Sequence, residues 1–254
     1  MVGGVLDKKK IIGVIPARYE SSRFPGKPLV DIHGKPMIYW VAKRVEESII
    51  EEYYVATDDI RIMDACNKYS LPCIMTSKNC LNGTERVAEV STKIEADYFV
   101  NIQGDEPAIN VEAINKIVMS LNKHKNAVYI QAITKLTEQH RILDDSLVKV
   151  AVSDHSEVLF YSRLPIPFRQ NKNSLIKPYH FRCLGLYLYS KDLLSRYLKM
   201  TPTTLEKIEN IEQLRLIENR IIINAEEVND DGISVDTPED LIIIREQYKD
   251  CFVK

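Results

Sequence analysis

Short apolar runs alternate with amphipathic stretches along the first half of the chain. Continuous apolar runs are typical of strands buried on both faces, and apolar residues spaced three and four apart are typical of helices that cover such strands. The pattern predicts strands over Ile11–Ile15, Tyr53–Ala56, Cys73–Met75, Tyr98–Ile102 and Val128–Ile133. Helices are predicted between them, over Met37–Val45, Ile60–Tyr69, Glu85–Ile94 and Val111–Asn122. This alternation indicates an α/β fold with a parallel sheet.

The second half has shorter apolar runs and a polar, proline-containing segment from Pro165 to Pro178. Strands are predicted over Val148–Val152, Val158–Tyr161, Cys183–Leu188 and Ile221–Ile223, and helices over Lys191–Lys199 and Leu205–Glu218. The sheet is therefore expected to become mixed, although mostly parallel. We expect a single domain over residues 1–254, with a small β-rich arm inserted at about residues 153–200.

Two polar residues have the character of helix N-caps. The side chains of Asn110 and Thr237 can accept hydrogen bonds from the free amides of a first helical turn, and Pro238 suits the first helical position. Both helix starts are therefore predicted at these residues.

Composition excludes several classes of protein. The 34 Lys and Arg residues nearly balance the 36 Asp and Glu residues, and 45% of residues are apolar, which disfavours both a disordered chain and a nucleic-acid binder. No apolar run is long enough to span a membrane, and the N-terminal one is too short for a signal peptide. The five cysteines lack metal-binding spacing. We expect a cytoplasmic protein with no membrane or nucleic-acid partner.

A cationic loop follows the first predicted strand. Arg18, Arg23 and Lys27 share it with Gly26, at the carboxyl end of the strand, where open α/β sheets bind ligands. Two guanidinium groups and an ammonium group suit a polyphosphate. The loop lacks the Walker A and GxGxxG patterns, and a solvated basic turn is the alternative.

Carboxylates follow two other apolar stretches. Asp105 comes three residues after the strand Tyr98–Ile102, and Asp236 precedes the predicted cap Thr237. Carboxylates opposite a cationic loop are placed to hold Mg²⁺ on phosphate oxygens. An ordinary turn for Asp105 and a helix cap for Asp236 are the alternatives.

Taken together, these stretches resemble a known family. The segments IPARYESSRFPGKPL, NGTERVAE, NIQGDEP, TTLEKIENIEQLR and SVDTPEDL occur in the order and rough spacing of the CMP-Kdo synthetases, the 3-deoxy-manno-octulosonate cytidylyltransferases. The resemblance runs from about residue 11 to the last helix. It implies a Rossmann-like nucleotidyltransferase fold, a homodimer, and Mg²⁺-dependent coupling of CTP to a 2-keto sugar acid, as in lipopolysaccharide biosynthesis. A sugar-phosphate nucleotidylyltransferase and a non-catalytic nucleotide-binding homologue are the alternatives.

The resemblance also implies roles for individual residues. Catalytic roles fall on Arg18, Lys27, Asp105 and Asp236, of which Asp105 and Asp236 would bind the metal. Nucleotide binding falls on Ala17, Arg18, Arg23, Lys27, Gly83, Thr84, Arg86 and Gln103. Sugar-acid binding falls on Gln103, Arg163, Cys183, Tyr187, Glu212 and Gln213.

Three positions depart from the family pattern. Asn82 stands where the family has serine, Cys183 where it has histidine, and Gln170 where it has arginine. A thiol is a weak donor without positive charge at neutral pH. Either neighbouring residues such as Arg169 or His180 compensate, or the acceptor is a different acid, for instance an amino-substituted Kdo.

Overall fold

The computed structural model of the chain describes residues 9–20, 24–168, 170, 180–230 and 233–252. The strands are β1 (Ile11–Ala17), β2 (Asp31–Ile32), β3 (Lys35–Pro36), β4 (Glu52–Thr57), β5 (Cys73–Met75), β6 (Tyr98–Ile102), β7 (Tyr129–Leu136), β8 (Lys149–Val152), β9 (Val158–Ser162), β10 (His180–Ser190) and β11 (Asn224–Glu227). The α-helices are α1 (Met37–Glu46), α2 (Ile60–Lys68), α3 (Gly83–Lys93), α4 (Val111–Met119), α5 (Gln139–Leu143), α6 (Lys191–Tyr197), α7 (Thr204–Glu209), α8 (Leu214–Glu218) and α9 (Pro238–Gln247). Short 3-10 turns occupy Lys27–Leu29, Ser120–Asn122 and Lys249–Cys251.

Nine of the described strands form one sheet. Its order is β11-β7-β10-β6-β1-β4-β5, and β8 and β9 extend it beside β10. The neighbours β6, β1, β4 and β5 are parallel, as are β7 and β11, whereas β10 runs antiparallel to β6 and β7. The predicted mixed, mostly parallel sheet is confirmed. Because β1 and β6 are parallel neighbours, the loops at their carboxyl ends open at the same edge.

Helices cover both faces of this sheet. On one face, α1 and α4 bury side chains such as Val41, Val45 and Ile114. On the other face, α3 and α6 bury Val87 and Leu193. Each fully buried side chain of this size stabilises the fold by roughly 1.5–3 kcal/mol relative to an exposed one. The apolar core thus holds β1 and β6 rigidly beneath the loops that follow them.

The predicted caps are present. The Asn110 side chain accepts a hydrogen bond from the Glu112 amide at 2.9 Å, at the start of α4. Thr237 and Asp240 form a reciprocal capping box at the start of α9. Both helix starts that were predicted from the sequence are confirmed.

Two predicted elements are wrong. The continuous helix over Leu205–Glu218 is divided into α7 and α8, because Asn210 adopts a left-handed conformation with φ of 55°. Asparagine tolerates this conformation better than most residues. The strand predicted over Ile221–Ile223 lies further along the chain, at β11, where the parallel ladder with β7 begins at Asn224.

The C-terminal helix packs near the cationic loop. Leu241 and Ile244 of α9 share a small apolar cluster with Ile32 and Met37. The backbone amide of Val235 also donates to the Asp105 carbonyl at 2.8 Å. This contact brings the segment before α9 beside the turn after β6. None of the helices in the described ranges has the length and apolar character needed to cross a membrane.

Candidate functional site

A cavity of about 540 Å³ opens where β1 and β6 end. Nine of the residues predicted to be functional line it: Ala17, Arg18, Lys27, Gly83, Arg86, Gln103, Asp105, Glu212 and Asp236. They come from five separate stretches of sequence. The topology brings these stretches together because the turns after parallel strands share one edge of the sheet.

The cationic loop is held in a tight conformation. Gly26 has φ of +73°, in the left-handed region that favours glycine, and its amide donates to the Tyr19 carbonyl at 2.8 Å. The turn directs Lys27 into the cavity, and Arg18 lies exposed at its wall. The guanidinium carbon of Arg61, on α2, lies 3.3 Å from the centroid of the Tyr19 ring. Arg23 lies outside the described residues.

Lys27 links the two predicted metal-binding carboxylates. Its Nζ donates to Asp105 Oδ2 at 2.7 Å and to Asp236 Oδ1 at 3.2 Å. Burial lowers the pKa of Lys27, but the two carboxylates outweigh that effect, so the pKa is raised above its ordinary value. The ammonium group is therefore fully charged at neutral pH. Sequence reasoning predicted all three residues but not their direct contact.

The carboxylate pair fits a hard divalent cation. Mg²⁺ prefers oxygen ligands and usually takes one or two carboxylates together with substrate phosphates and waters. Asp105 and Asp236 converge on one point, as their shared contact with Lys27 shows. Across the described part of the chain, no cluster of three or more His, Cys, Asp or Glu side chains could hold a metal by itself. Such a site would need phosphate oxygens to complete its coordination.

Arg86 is fixed by contacts that the sequence analysis did not identify. Its buried guanidinium donates to the Thr76 hydroxyl and, at 2.8 Å, to Asp58 Oδ2. Asp58 follows β4 directly, at the same sheet edge as Asp105. The rule that selected Asp105, an acid at the end of a buried strand, would also have selected Asp58. The planar guanidinium is thereby held at the cavity wall.

The start of α3 forms another part of the wall. Asn82 caps this helix by accepting from the Glu85 amide at 2.8 Å, so asparagine performs the capping that serine can also perform. Gly83 lies at the cavity, with no side chain to fill it. Thr84 is not among the residues that line the cavity, and its hydroxyl lies 2.7 Å from the Tyr189 hydroxyl.

The far end of the cavity carries a half-buried acid, Glu212, whose Oε2 atom is itself buried. Glu212 follows the break between α7 and α8, and its Oε2 has no hydrogen-bond partner among the described residues. Burial raises the pKa of Glu212 to about 7. Nearby, Arg215 donates from two nitrogens to Glu206, at 2.8 and 2.5 Å, and its guanidinium lies 4.5 Å from the Tyr197 ring centroid. The sequence analysis did not select Glu206 or Arg215, which also line the cavity.

Four predicted sugar-acid residues lie outside the lining. Gln213 is buried behind Glu212. Cys183 and Tyr187 are packed together beneath the cavity, where burial raises the pKa of the Cys183 thiol. Arg163 donates to backbone carbonyls of Glu209 and Asp145, each at 3.0 Å. Their predicted roles toward an acceptor stay predictions.

The chain is similar to characterised protein families along most of its length. A family model described as cytidylyltransferase matches residues 12–227. The chain is 41% identical over 239 residues to 3-deoxy-manno-octulosonate cytidylyltransferase of Polynucleobacter necessarius subsp. necessarius (strain STIR1), covering 92% of this chain and 93% of that protein. It is 40% identical over 246 residues to the protein of the same name from Fusobacterium nucleatum subsp. nucleatum, covering 96% and 99%.

Solved structures agree with the predicted fold class. The structure of CMP:2-keto-3-deoxy-manno-octonic acid synthetase complexed with CTP superposes with a TM-score of 0.89 at 36% identity, over 95% of this chain and 99% of that chain. A cytidylyltransferase from Leptospira borgpetersenii is only 15% identical, with a TM-score of 0.66 over 97% of this chain and 89% of that chain, and shares the fold. The predicted nucleotidyltransferase fold is confirmed.

Proposed function

This chain belongs to the cytidylyltransferase family, and we propose that it couples CTP to 3-deoxy-manno-octulosonate (Kdo), or to a close relative of that sugar acid. The products are the CMP-sugar and pyrophosphate. The observation that carries the proposal is the contact of Lys27 with Asp105 and Asp236 inside a cavity that Arg18 also lines. Two acids and several cations at the end of a parallel sheet suit a reaction between anions.

The chemistry follows from charge. The anomeric hydroxyl of the sugar acid attacks the α-phosphorus of CTP and loses its proton, the new P–O bond forms, and the bond to the β-phosphate breaks as pyrophosphate leaves. CTP and a carboxylate acceptor repel each other, so the enzyme has to position two anions and offset their charge. Bound by Asp105 and Asp236, Mg²⁺ would supply positive charge beside the phosphate and attacking oxygens.

The cations have distinct positions in this scheme. Arg18 and Arg23 bind the triphosphate, and Lys27 meets the charge that develops on the departing pyrophosphate. Arg86, held by Asp58, and Gly83 at the start of α3 seat the nucleotide. Ala17 and Thr84 complete the nucleotide-binding set, Ala17 at the cavity wall and Thr84 by supporting α3 through Tyr189.

The acceptor occupies the end of the cavity where Glu212 lies. The buried Oε2 atom of Glu212, which has no hydrogen-bond partner among the described residues, can accept a hydrogen bond from a sugar hydroxyl. Such a bond would be favourable, because a buried polar atom without a hydrogen-bond partner costs free energy. Gln103 also lines the cavity, and we assign it to a position between the nucleotide and the sugar acid. Arg163, Gln213, Cys183 and Tyr187 belong to the same proposed acceptor region, with Cys183 and Tyr187 supporting it from beneath.

The activity is tested by pyrophosphate release from CTP and Mg²⁺ with a panel of acids. We expect release with Kdo, and none when a chelator removes the metal. Tight CTP binding without release for any acid would contradict the proposal and identify a nucleotide-binding homologue.

Cys183→His on the same panel addresses acceptor choice. The ratio of kcat/KM for Kdo to kcat/KM for amino-substituted Kdo is compared between the wild type and Cys183→His. A change in this ratio would show that Cys183 affects the choice of acceptor. An unchanged ratio would show that Cys183 serves only in packing.

The same chain offers a surface for a homodimer. Leu159 on β9, and Leu164 and Phe168 after it, are 59%, 71% and 86% exposed. They lie in the predicted arm at residues 153–200, of which β10 runs within the central sheet. Large exposed apolar side chains are common at surfaces that a partner covers. We assign this surface to the contact between two copies, in a protein whose residues 1–254 form one domain.

Phe168→Glu is expected to weaken the homodimer at least about tenfold, because burying a phenylalanine contributes roughly 1.5–3 kcal/mol. Sedimentation velocity across a concentration series measures the change in dissociation constant. Ile60→Glu, at a residue that is 59% exposed at the start of α2, is the matched control and should leave the dimer intact. A wild-type protein that sediments as a monomer at all concentrations would contradict the assignment.

A further inference from the structure

The turn that carries Asp105 lies between two other segments. On one side, the Gln103 amide donates to the Gly185 carbonyl of β10 at 3.1 Å. On the other side, the Val235 amide donates to the Asp105 carbonyl at 2.8 Å, one residue before Asp236. The two predicted metal-binding carboxylates, Asp105 and Asp236, therefore belong to different segments. The backbone hydrogen bond between Val235 and Asp105 joins these two segments.

One side chain joins all three segments. Glu106 is 5% exposed, and its Oε1 accepts from the Gly185 amide at 3.2 Å and from the Ser234 hydroxyl at 3.3 Å. Its own backbone continues from Asp105, and Ser234 lies two residues before Asp236. Glu106 thus links the Asp105 turn, the Asp236 segment and β10 through a single oxygen atom.

The backbone of β10 is shaped around this link. The ladder between β10 and β7 shifts register between Cys183 and Tyr187, and Gly185 lies within the shift. A Cβ built at Gly185 would lie 2.7 Å from Glu106 Oε1 and 2.4 Å from Gln103 Cγ. Only glycine permits this close approach. The position of the Glu106 carboxyl is therefore fixed by backbone as well as by hydrogen bonds.

We propose that Glu106 is a positioning residue that sets the separation of Asp105 and Asp236. It acts through these two carboxylates and does not itself line the cavity. The inference rests on the proposed function, because it requires Asp105 and Asp236 to bind the metal. Loss of a group that orients a metal ligand typically weakens metal binding by about 10- to 100-fold.

Mn²⁺ binding to the CTP-saturated enzyme without acceptor tests this role, with water-proton relaxation as the readout. Glu106→Ala is expected to weaken Mn²⁺ binding about tenfold or more, within the range typical of lost ligand-orienting groups. Glu106→Gln keeps an acceptor oxygen at the same place, so its dissociation constant for Mn²⁺ should stay within about threefold of the wild-type value. Ser234→Ala should weaken Mn²⁺ binding by about threefold, as expected for the loss of one neutral hydrogen bond. Thermal unfolding followed by circular dichroism verifies that each variant is folded.

Glu209→Ala is the matched control. Glu209 accepts from the Ser162 hydroxyl at 3.0 Å and the Arg163 amide at 3.1 Å, so it also joins two segments through a hydroxyl and a backbone amide, but away from Asp105 and Asp236. It should leave Mn²⁺ binding unchanged. Wild-type binding in Glu106→Ala, or equal losses in the Ala and Gln variants, would overturn the assignment. If Glu106→Ala does not fold, unchanged binding in Ser234→Ala overturns it.

Asp105→Ala in the same titration separates this inference from the proposed function. Loss of Mn²⁺ binding in Asp105→Ala together with wild-type binding in Glu106→Ala rejects the role of Glu106 alone. Equal Mn²⁺ binding by wild type and Asp105→Ala rejects the metal assignment, and the role of Glu106 with it.

Discussion

Asp105→Ala and Asp236→Ala are each expected to lower kcat about 100-fold or more, because charge supplied at the phosphate and attacking oxygens contributes several kcal/mol to transition-state stability. CTP binding should weaken much less, since the cationic groups of the loop still hold the triphosphate. Pyrophosphate release at saturating CTP and Mg²⁺ gives kcat, and calorimetry gives the dissociation constant of CTP.

Asp192→Ala provides the control for this pair. Asp192 is an aspartate in the first turn of α6 whose side chain is 74% exposed, paired only loosely with Arg196 at 3.7 Å. Its loss should leave kcat close to the wild-type value. If either Asp105→Ala or Asp236→Ala also retained near wild-type turnover, that carboxylate would serve as a structural partner of Lys27 and not as a metal ligand.

Lys27→Ala should lower kcat about 100-fold, the loss typical when one preorganised group that meets developing charge is removed. The dissociation constant of CTP should rise by less than about tenfold, because Arg18 and Arg23 are the residues proposed to bind the triphosphate in the ground state. The substitution also leaves Asp105 and Asp236 facing each other without the ammonium that now lies between them. A stronger dependence of activity on Mg²⁺ is therefore expected as well.

Lys27→Arg distinguishes charge from geometry in this prediction. A guanidinium keeps the positive charge but has a planar shape that differs from the ammonium group that contacts both carboxylates. We expect an intermediate kcat. The prediction would be contradicted if Lys27→Ala lowered kcat/KM and CTP affinity by the same factor. Lys27 would then stabilise the ground state and the transition state equally.

The edge of the sheet where the cavity lies could be predicted from sequence because strand burial leaves a strong pattern. β1 and β6 are continuous apolar runs, so the residues that follow them, Arg18 and Asp105, could be assigned to strand ends. Neighbouring parallel strands then bring those ends together. The cap at Thr237 placed Asp236 just before a helix in the same way.

Other parts of the site left no comparable signal. The break at Asn210 depends on one residue with a positive φ within a segment whose apolar spacing is helical throughout. The ladder of β10 with β7 shifts register between Cys183 and Tyr187, and a strand pattern cannot show where a ladder shifts. Glu106 stands beside Asp105 in the sequence, but only the fold shows that its side chain is buried and does not line the cavity.

The division of one predicted helix into α7 and α8 has a consequence for how the cavity opens. Helices of six and five residues are too short to be stable alone. This wall therefore depends on the pairing of Arg215 in α8 with Glu206 in α7, and on contacts from distant parts of the chain, such as that of Arg163 with the end of α7. The end of the cavity that is proposed to bind phosphate instead lies on the apolar core of the central sheet. We therefore expect local unfolding to cost less free energy at the Glu212 end than at β1 and β6, and amide hydrogens there to exchange with solvent first.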